Sequence, residues 1–273
     1  MAGSKRAREL ARAKYERQQA ARNARRAARR KKILITAGAI VAVVAVGAGV
    51  WVLWPEGSTS ASPSASATPT SSTPPAPVPT PTGITCTEAG ASTRTTTFPK
   101  AEPQKLKPGA TLTLDTNCGK VVIEFAVANA PINTNAIAFL ASKGFYTDAG
   151  CHRLTVEGIF VVQCGSPSND GRGDAGFKLP DENLPKSGPN DYPTGTVAMA
   201  NAGKGTASSQ FFLVYKDSTL DPANYTVLGH ITSGLDVIQY VAAKGVAPGS
   251  PSGQGDGPPA QPLVIKTATV RNG

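Results

Sequence analysis

The sequence predicts a mainly-β domain: a closed eight-stranded antiparallel β-barrel capped by two α-helices, preceded by a basic tail, one transmembrane helix and a disordered linker. Three observations predict it. Proline, serine, threonine and basic residues crowd into the N-terminal part of the 273-residue chain, so only one compact core is available, and it is C-terminal. From Lys107 onward the chain breaks into short apolar runs of period two, separated by turn residues. Only two segments there have helical spacing, which suits a barrel with capped ends.

Residues 1–32 form a basic tail with 13 Lys or Arg against Glu9 and Glu16, or +11 of the chain's net +10, leaving −1 for the rest. The folded domain is therefore nearly neutral, and a general affinity for nucleic acid is not expected of it. The tail has helix formers but almost no apolar stripe, so it cannot bury a core. It reads as a solvated topogenic segment or as an arm on anionic membrane lipids, each basic residue near the surface contributing about 1 kcal/mol.

Residues 33–54 contain no charge. As a helix, 22 residues span roughly 33 Å, enough for a bilayer's hydrocarbon core. Trp51 and Trp54 sit at the far end as interfacial anchors, and the basic cluster before Ile33 keeps the N-terminus cytoplasmic. The apolar run exceeds that of a signal peptide and lacks an immediate small-x-small site, which favours an uncleaved single-pass anchor in the plasma membrane. Residues 55–106 are a Pro/Ser/Thr-rich linker and lead-in. Up to Gly83 the linker has one acid, Glu56, and too little apolar surface to offset ordering entropy. The lead-in, 84–106, reads as irregular and attached chiefly through Cys86.

Within the domain, 107–273, strands are expected at 111–116 and 121–125, joined as a hairpin through Asn117, Cys118 and Gly119. Pro131 precedes a helix over 132–143, with Ile132, Ala136, Ile137, Phe139 and Leu140 on its apolar face and Gly144 as its stop. Further strands are expected at 151–156, 159–164, 196–200, 211–215 and 226–231, then a helix at 234–244 and a last strand at 262–270.

All four cysteines lie beyond the membrane segment, where disulfides persist. Three pairings are possible. Cys151 and Cys164 fall at matched ends of two adjacent strands, which leaves Cys86 to tie the lead-in to Cys118. No CxxC or HxxxH spacing supports a metal site, and no cofactor is expected.

The stretch from Gly195 to Tyr215 encloses a loop of small residues between two strand-like runs, and reads as a peptide-groove wall or as a plain surface loop. Its core, MANAGKGTASSQFF, resembles a signature of the cyclophilin-type peptidyl-prolyl isomerases. HRLTVEGIFVVQCG resembles their second signature, and GRGDAGFKLPDENL is similar to the family's Gly-rich loop and the turn after it. The resemblance covers roughly Lys107 to Asn272. It implies the barrel fold, isomerisation of X-Pro bonds and proline-containing polypeptides as partners.

Residue by residue, the resemblance makes Arg153 the catalytic donor to the prolyl nitrogen, with Gln163 positioning it. Phe160, Val161, Phe212, Leu220 and Tyr225 become pocket residues; Ala200, Asn201, Ala202 and Gln210 become the groove wall. Four departures stand out: Val161 in place of a common Met, Tyr225 in place of His, Thr219 where cyclosporin-sensitive members have Trp, and about two extra residues at 155–157. Cyclosporin binding should therefore be weak. His152 should point away from Arg153, and neither it nor His230 is expected to act as acid or base. Two function classes stay open: an isomerase for extracytoplasmic proteins, and a membrane-tethered proline-peptide-binding or chaperone module with incidental activity.

Overall fold

The computed structural model describes residues 81–250, 253 and 255–273. The basic tail, the expected membrane span and the linker up to residue 80 lie outside the described residues. Among those described, no helix is long and apolar enough to cross a membrane.

The first hairpin shows why these strands form. In β1 (Thr111–Thr116) Leu112 and Leu114 point inward, and in β2 (Gly119–Phe125) Val121, Ile123 and Phe125 do the same. The two pair antiparallel with Leu112 opposite Ile123 and Leu114 opposite Val121, so one face of each strand is core. Helix α1 (Pro131–Ser142) begins with proline, whose missing N–H costs nothing in the first turn. Its side chains Ile137, Phe139 and Leu140 are buried, but Ile132, expected on the same apolar face, is 50% exposed. The turn is capped from 50 residues away: Ile132 and Asn133 N–H donate to the Glu182 carboxylate, at 3.2 and 2.9 Å.

Next come β3 (Ala149–Gly150), β4 (Arg153–Thr155), β5 (Val161–Cys164), β6 (Thr196–Met199), β7 (Phe211–Val214) and β8 (Val227–Ser233). Helix α2 (Leu235–Ala243) follows Gly234, whose φ of 83° and approach to the Lys120 carbonyl, 2.1 Å from where a Cβ would sit, exclude any other residue. Two strands finish the chain, β9 (Asp256–Gly257) and β10 (Val264–Arg271).

The strands form one curled antiparallel sheet in the order β3-β10-β1-β2-β8-β6-β7-β5-β4-β9. This corrects the expectation of a closed eight-stranded barrel. The strand expected at 151–156 is shortened to β4, where Arg153 and Leu154 pair with β5, while Ala149 and Gly150, just before the expected start, pair with β10 at the other end of the sheet. The seam between the two ends is crossed by the chain itself and by a disulfide rather than by a ladder among the described residues. Cys151 N–H donates to the Leu263 carbonyl beside β10, while its sulfur is bonded to Cys164 of β5.

Both disulfides have the expected partners, Cys86–Cys118 and Cys151–Cys164. The lead-in, however, is held at far more than Cys86. Backbone N–H groups of Thr87, Ser92, Arg94 and Phe98 donate to carbonyls of Asn117, Asp148, Pro167 and Ala175. Phe98 stacks edge-on against Phe139 of α1, with centroids 5.1 Å apart.

Candidate active site

Strands β5, β7 and β6 are buried on both faces, and the pleat explains how. Val162, Cys164, Phe211, Leu213, Val197 and Met199 point into the main core. Their neighbours Val161, Phe212, Val214 and Ala198 point the other way, into a second apolar cluster completed by Tyr192, Leu220 and Ala223. Against this outer cluster pack Ile159, Ala200, Tyr225 and Val227. A socket on the outer face of the sheet results.

Register places the chemistry beside it. Arg153 of β4 lies opposite Gln163 of β5, Gln163 opposite Phe212 of β7, and Phe212 opposite Ala198 of β6. The four make one cross-strand row on the outer face. A cavity of about 180 Å³ opens along it, lined by Arg153, Ile159, Val161, Gln163, Ala200, Asn201, Phe212, Leu220 and Tyr225. That is smaller than a typical drug-sized pocket and fits a single side chain. Ala202 and Gln210 line an adjoining cavity of about 340 Å³, which shares Gln163, Ala200 and Asn201 with the first. The two cavities adjoin through those three shared residues.

The socket is stiff. Phe212 meets Tyr225 edge-on at 5.5 Å, and the Tyr192 hydroxyl donates to the Tyr225 carbonyl while accepting from the Tyr225 N–H, both at 2.9 Å. Asn201 Nδ2 donates to the Asn224 carbonyl at 2.9 Å, tying the groove wall to the loop that carries Tyr225.

The polar side is a directional chain. Arg153 Nη1 reaches Gln163 Oε1 at 3.4 Å, Gln163 Nε2 donates to Gln210 Oε1 at 2.9 Å, and Gln210 Nε2 donates to the carbonyls of Gly171 and Gly173. The rest of the guanidinium is gripped by a residue that sequence reasoning missed. Arg153 Nε and Nη2 each donate at 2.8 Å to the two carboxylate oxygens of Asp256. This pairing holds the guanidinium above the usual arginine pKa, against the opposing effect of burial.

Of the expected site residues, ten are brought together in the two cavities and one is not. Phe160 lines neither. Pleat parity puts it with Val162 on the core side, edge-on to Tyr215 at 6.0 Å and beneath the Lys216 ammonium at 4.6 Å. Ile159 takes its place in the socket. His152, next to Arg153, is also turned away and lies under Gly171. Both its ring nitrogens are buried without a partner, and burial, with repulsion from Arg153, pushes it down to about 4.

The family model described as "Cyclophilin type peptidyl-prolyl cis-trans isomerase/CLD" matches residues 111–270. A relative from Mycobacterium leprae, "Probable peptidyl-prolyl cis-trans isomerase B", is 42% identical over 166 residues, covering 56% of this chain and 54% of its own length. The "Peptidyl-prolyl cis-trans isomerase" of Helicobacter pylori is 35% identical over 140 residues, 50% of this chain and 83% of that protein. A Cryptosporidium parvum cyclophilin type isomerase, crystallised in the presence of the dipeptide ala-pro, overlays with a TM-score of 0.49 at 21% identity, covering 60% of this chain and 99% of that one. The chain spans about half the length of the mycobacterial relatives it matches. With the family model covering more than half of its residues, the chain belongs to the cyclophilin-type peptidyl-prolyl cis-trans isomerase family.

Proposed function

We propose that the chain is a peptidyl-prolyl cis-trans isomerase that acts on X-Pro bonds of proteins outside the cytoplasm and assists their folding. The observation that carries this reading is the cross-strand row: one guanidinium fixed beside Gln163 in a small cavity whose other wall is Ile159, Val161, Phe212 and Leu220.

Rotation about an X-Pro bond faces about 18–20 kcal/mol because amide resonance must be broken. As resonance is lost, the prolyl nitrogen regains its lone pair and becomes an acceptor. A donor waiting there stabilises the twisted amide more than either planar form, which is what a catalyst must do. Arg153 supplies that donor. Phe212, Val161, Leu220 and Ile159 hold the ring, and the backbone at Ala200, Asn201 and Ala202 holds the flanking peptide while the preceding carbonyl swings. No proton is transferred and no covalent bond forms.

The location of the work rests on the sequence: an anchor at 33–54 with 13 basic residues before it places the domain outside the cytoplasm, with the tail on anionic lipids. Protease added to intact cells then removes the domain. Recovery of a mature, membrane-free chain overturns the anchor. Cyclosporin binds weakly, because Thr219 offers no indole; its hydroxyl instead accepts the Asn190 N–H at 2.9 Å.

The deciding experiment is exchange NMR on an Ala-Pro peptide with the full-length chain in detergent. Catalysed cis-trans exchange supports the enzyme. Saturable peptide binding without catalysis supports the tethered binding module instead.

A further inference from the structure

We propose that Asp256 is a positioning residue for Arg153: it clamps one edge of the guanidinium so that the free N–H groups face the socket. The inference deepens the isomerase reading above and rests on it.

An arginine carries five N–H donors. Asp256 takes one on Nε and one on Nη2, and Gln163 takes one on Nη1 at a longer 3.4 Å, leaving one free on each Nη. Arg153 also lines the cavity, so the free groups belong to the groove. Without the carboxylate, the single long contact to Gln163 would have to hold a flexible side chain that is 37% exposed.

The clamp is itself clamped. Asp256 sits opposite Thr155, two residues along β4 from Arg153, hence diagonal to it on the same face. Gly257 pairs with Leu154, and Val156 N–H donates to the Gly255 carbonyl at 3.0 Å. Ser250 Oγ donates to the Asp256 carbonyl at 2.7 Å. Position 257 has no room for a side chain, since a Cβ there would meet Ser250 Oγ at 2.0 Å. A two-residue strand with so little of its own core is thus held in register at the point where it presents its carboxylate. A pair as exposed as this one adds little to folding, so its consequence falls on the orientation of the donor and not on the stability of the sheet.

The test uses the full-length chain and the same exchange assay. Asp256→Asn should lower kcat about five- to tenfold with KM and melting temperature nearly unchanged, and Asp256→Glu should recover most of the loss. In an Arg153→Ala background, Asp256→Asn should have no further effect, which a merely structural role would not predict. Undiminished or raised kcat in Asp256→Asn overturns the proposal, as does an equal loss in both backgrounds. A readout independent of turnover is the Arg153 Nε–H resonance. It should exchange slowly with solvent in the unmodified chain and rapidly in Asp256→Asn. If the unmodified chain isomerises nothing, the functional reading has failed; an unprotected Nε–H would overturn the clamp on its own.

Discussion

Phe211 and Phe212 are neighbours in one strand, equally buried, and they serve opposite faces of it. Phe211 packs edge-on against Tyr146 in the main core, 5.6 Å between centroids, and Phe212 packs against Tyr225 in the socket. The same alternation sorts Val162 from Val161 and Met199 from Ala198. A single sheet thus carries a core that holds the fold on one face and a smaller cluster bordering a cavity on the other. Burial alone does not tell them apart. Parity does, together with the polar row that borders only the outer face.

The comparison breaks most visibly at Arg153, where the outer face stops being a hydrophobic patch and becomes a site. A charge-assisted bond made mainly in the twisted state is worth about 2–4 kcal/mol, so Arg153→Ala should cut kcat/KM by about 30- to 1,000-fold in the exchange assay. Arg153→Lys should recover little, because an ammonium cannot satisfy the two-pronged contact to Asp256 and also reach the groove. Full activity in a correctly folded Arg153→Ala chain would remove the mechanism.

The two phenylalanines sharpen the contrast. Phe211→Ala should cost about 3–5 kcal/mol in denaturant unfolding, since the core around Tyr146 and Leu213 cannot close over the lost ring. Where that variant still folds, its KM should be close to that of the unmodified chain. Phe212→Ala should do the reverse in emphasis, raising KM about tenfold through a widened socket while costing less stability, because the outer cluster is small and bordered by solvent. Similar KM changes in both would mean that the two faces are not functionally separate.

The difference between the faces also explains what the sequence made legible. Alternating apolar residues announced β1 and β2, continuous strand-forming runs announced β5 and β7, and the small-residue loop after Met199 announced the groove wall. Phe160 was assigned to the socket through family resemblance, although its position one residue from Val161 and two from Val162 already places it on the core side. Asp256 was not legible. It lies 103 residues from Arg153 in a Gly-, Pro- and Ser-rich stretch, on a strand too short to show any period. Glu182 as the cap of α1 and the lead-in's backbone bonds went unread for the same reason: each depends on a partner brought close only by the fold. The short strand β3 ahead of Cys151 likewise went unread, because local pattern does not record that β3 and β4 meet opposite ends of the sheet.

The seam tests whether the outer face depends on sheet closure. Replacing Cys151 and Cys164 together by serine removes a link across 13 residues and should cost about 3 kcal/mol in unfolding free energy. Because the bond joins the β10 end of the sheet to β5, whose Val161 and Gln163 line the socket, KM should also rise modestly. The Cys86–Cys118 bond lies on the core side of the lead-in, and removing it should lower stability with KM untouched.

The smallest expected effect concerns His152, which is turned away from Arg153 beneath Gly171 and lines neither cavity. Burial pushes its pKa down to about 4, repulsion from Arg153 adds to this, and Asp170 offsets part of it. The sign follows from which form the fold accepts. The folded chain holds the neutral ring, whereas the unfolded chain takes up a proton near pH 6.5. The stability that His152 contributes is therefore present above about pH 6.5 and lost as the pH falls through the folded value near 4. Over that window the unmodified chain should lose several degrees more in melting temperature than His152→Leu, which has nothing to titrate at this position. Carboxylates whose pKa values are held low, such as Asp174 and Asp217, lose their contribution in both chains and cancel in the difference. Catalysis should be indifferent to the same titration: activity should stay nearly flat from about pH 6 to 8, since isomerisation by a permanently charged guanidinium needs no group that ionises there. A bell-shaped profile in that range, abolished by His152→Leu, would mean that the residue on the hidden side of Arg153 takes part after all, and that the two faces of the strand are coupled through it.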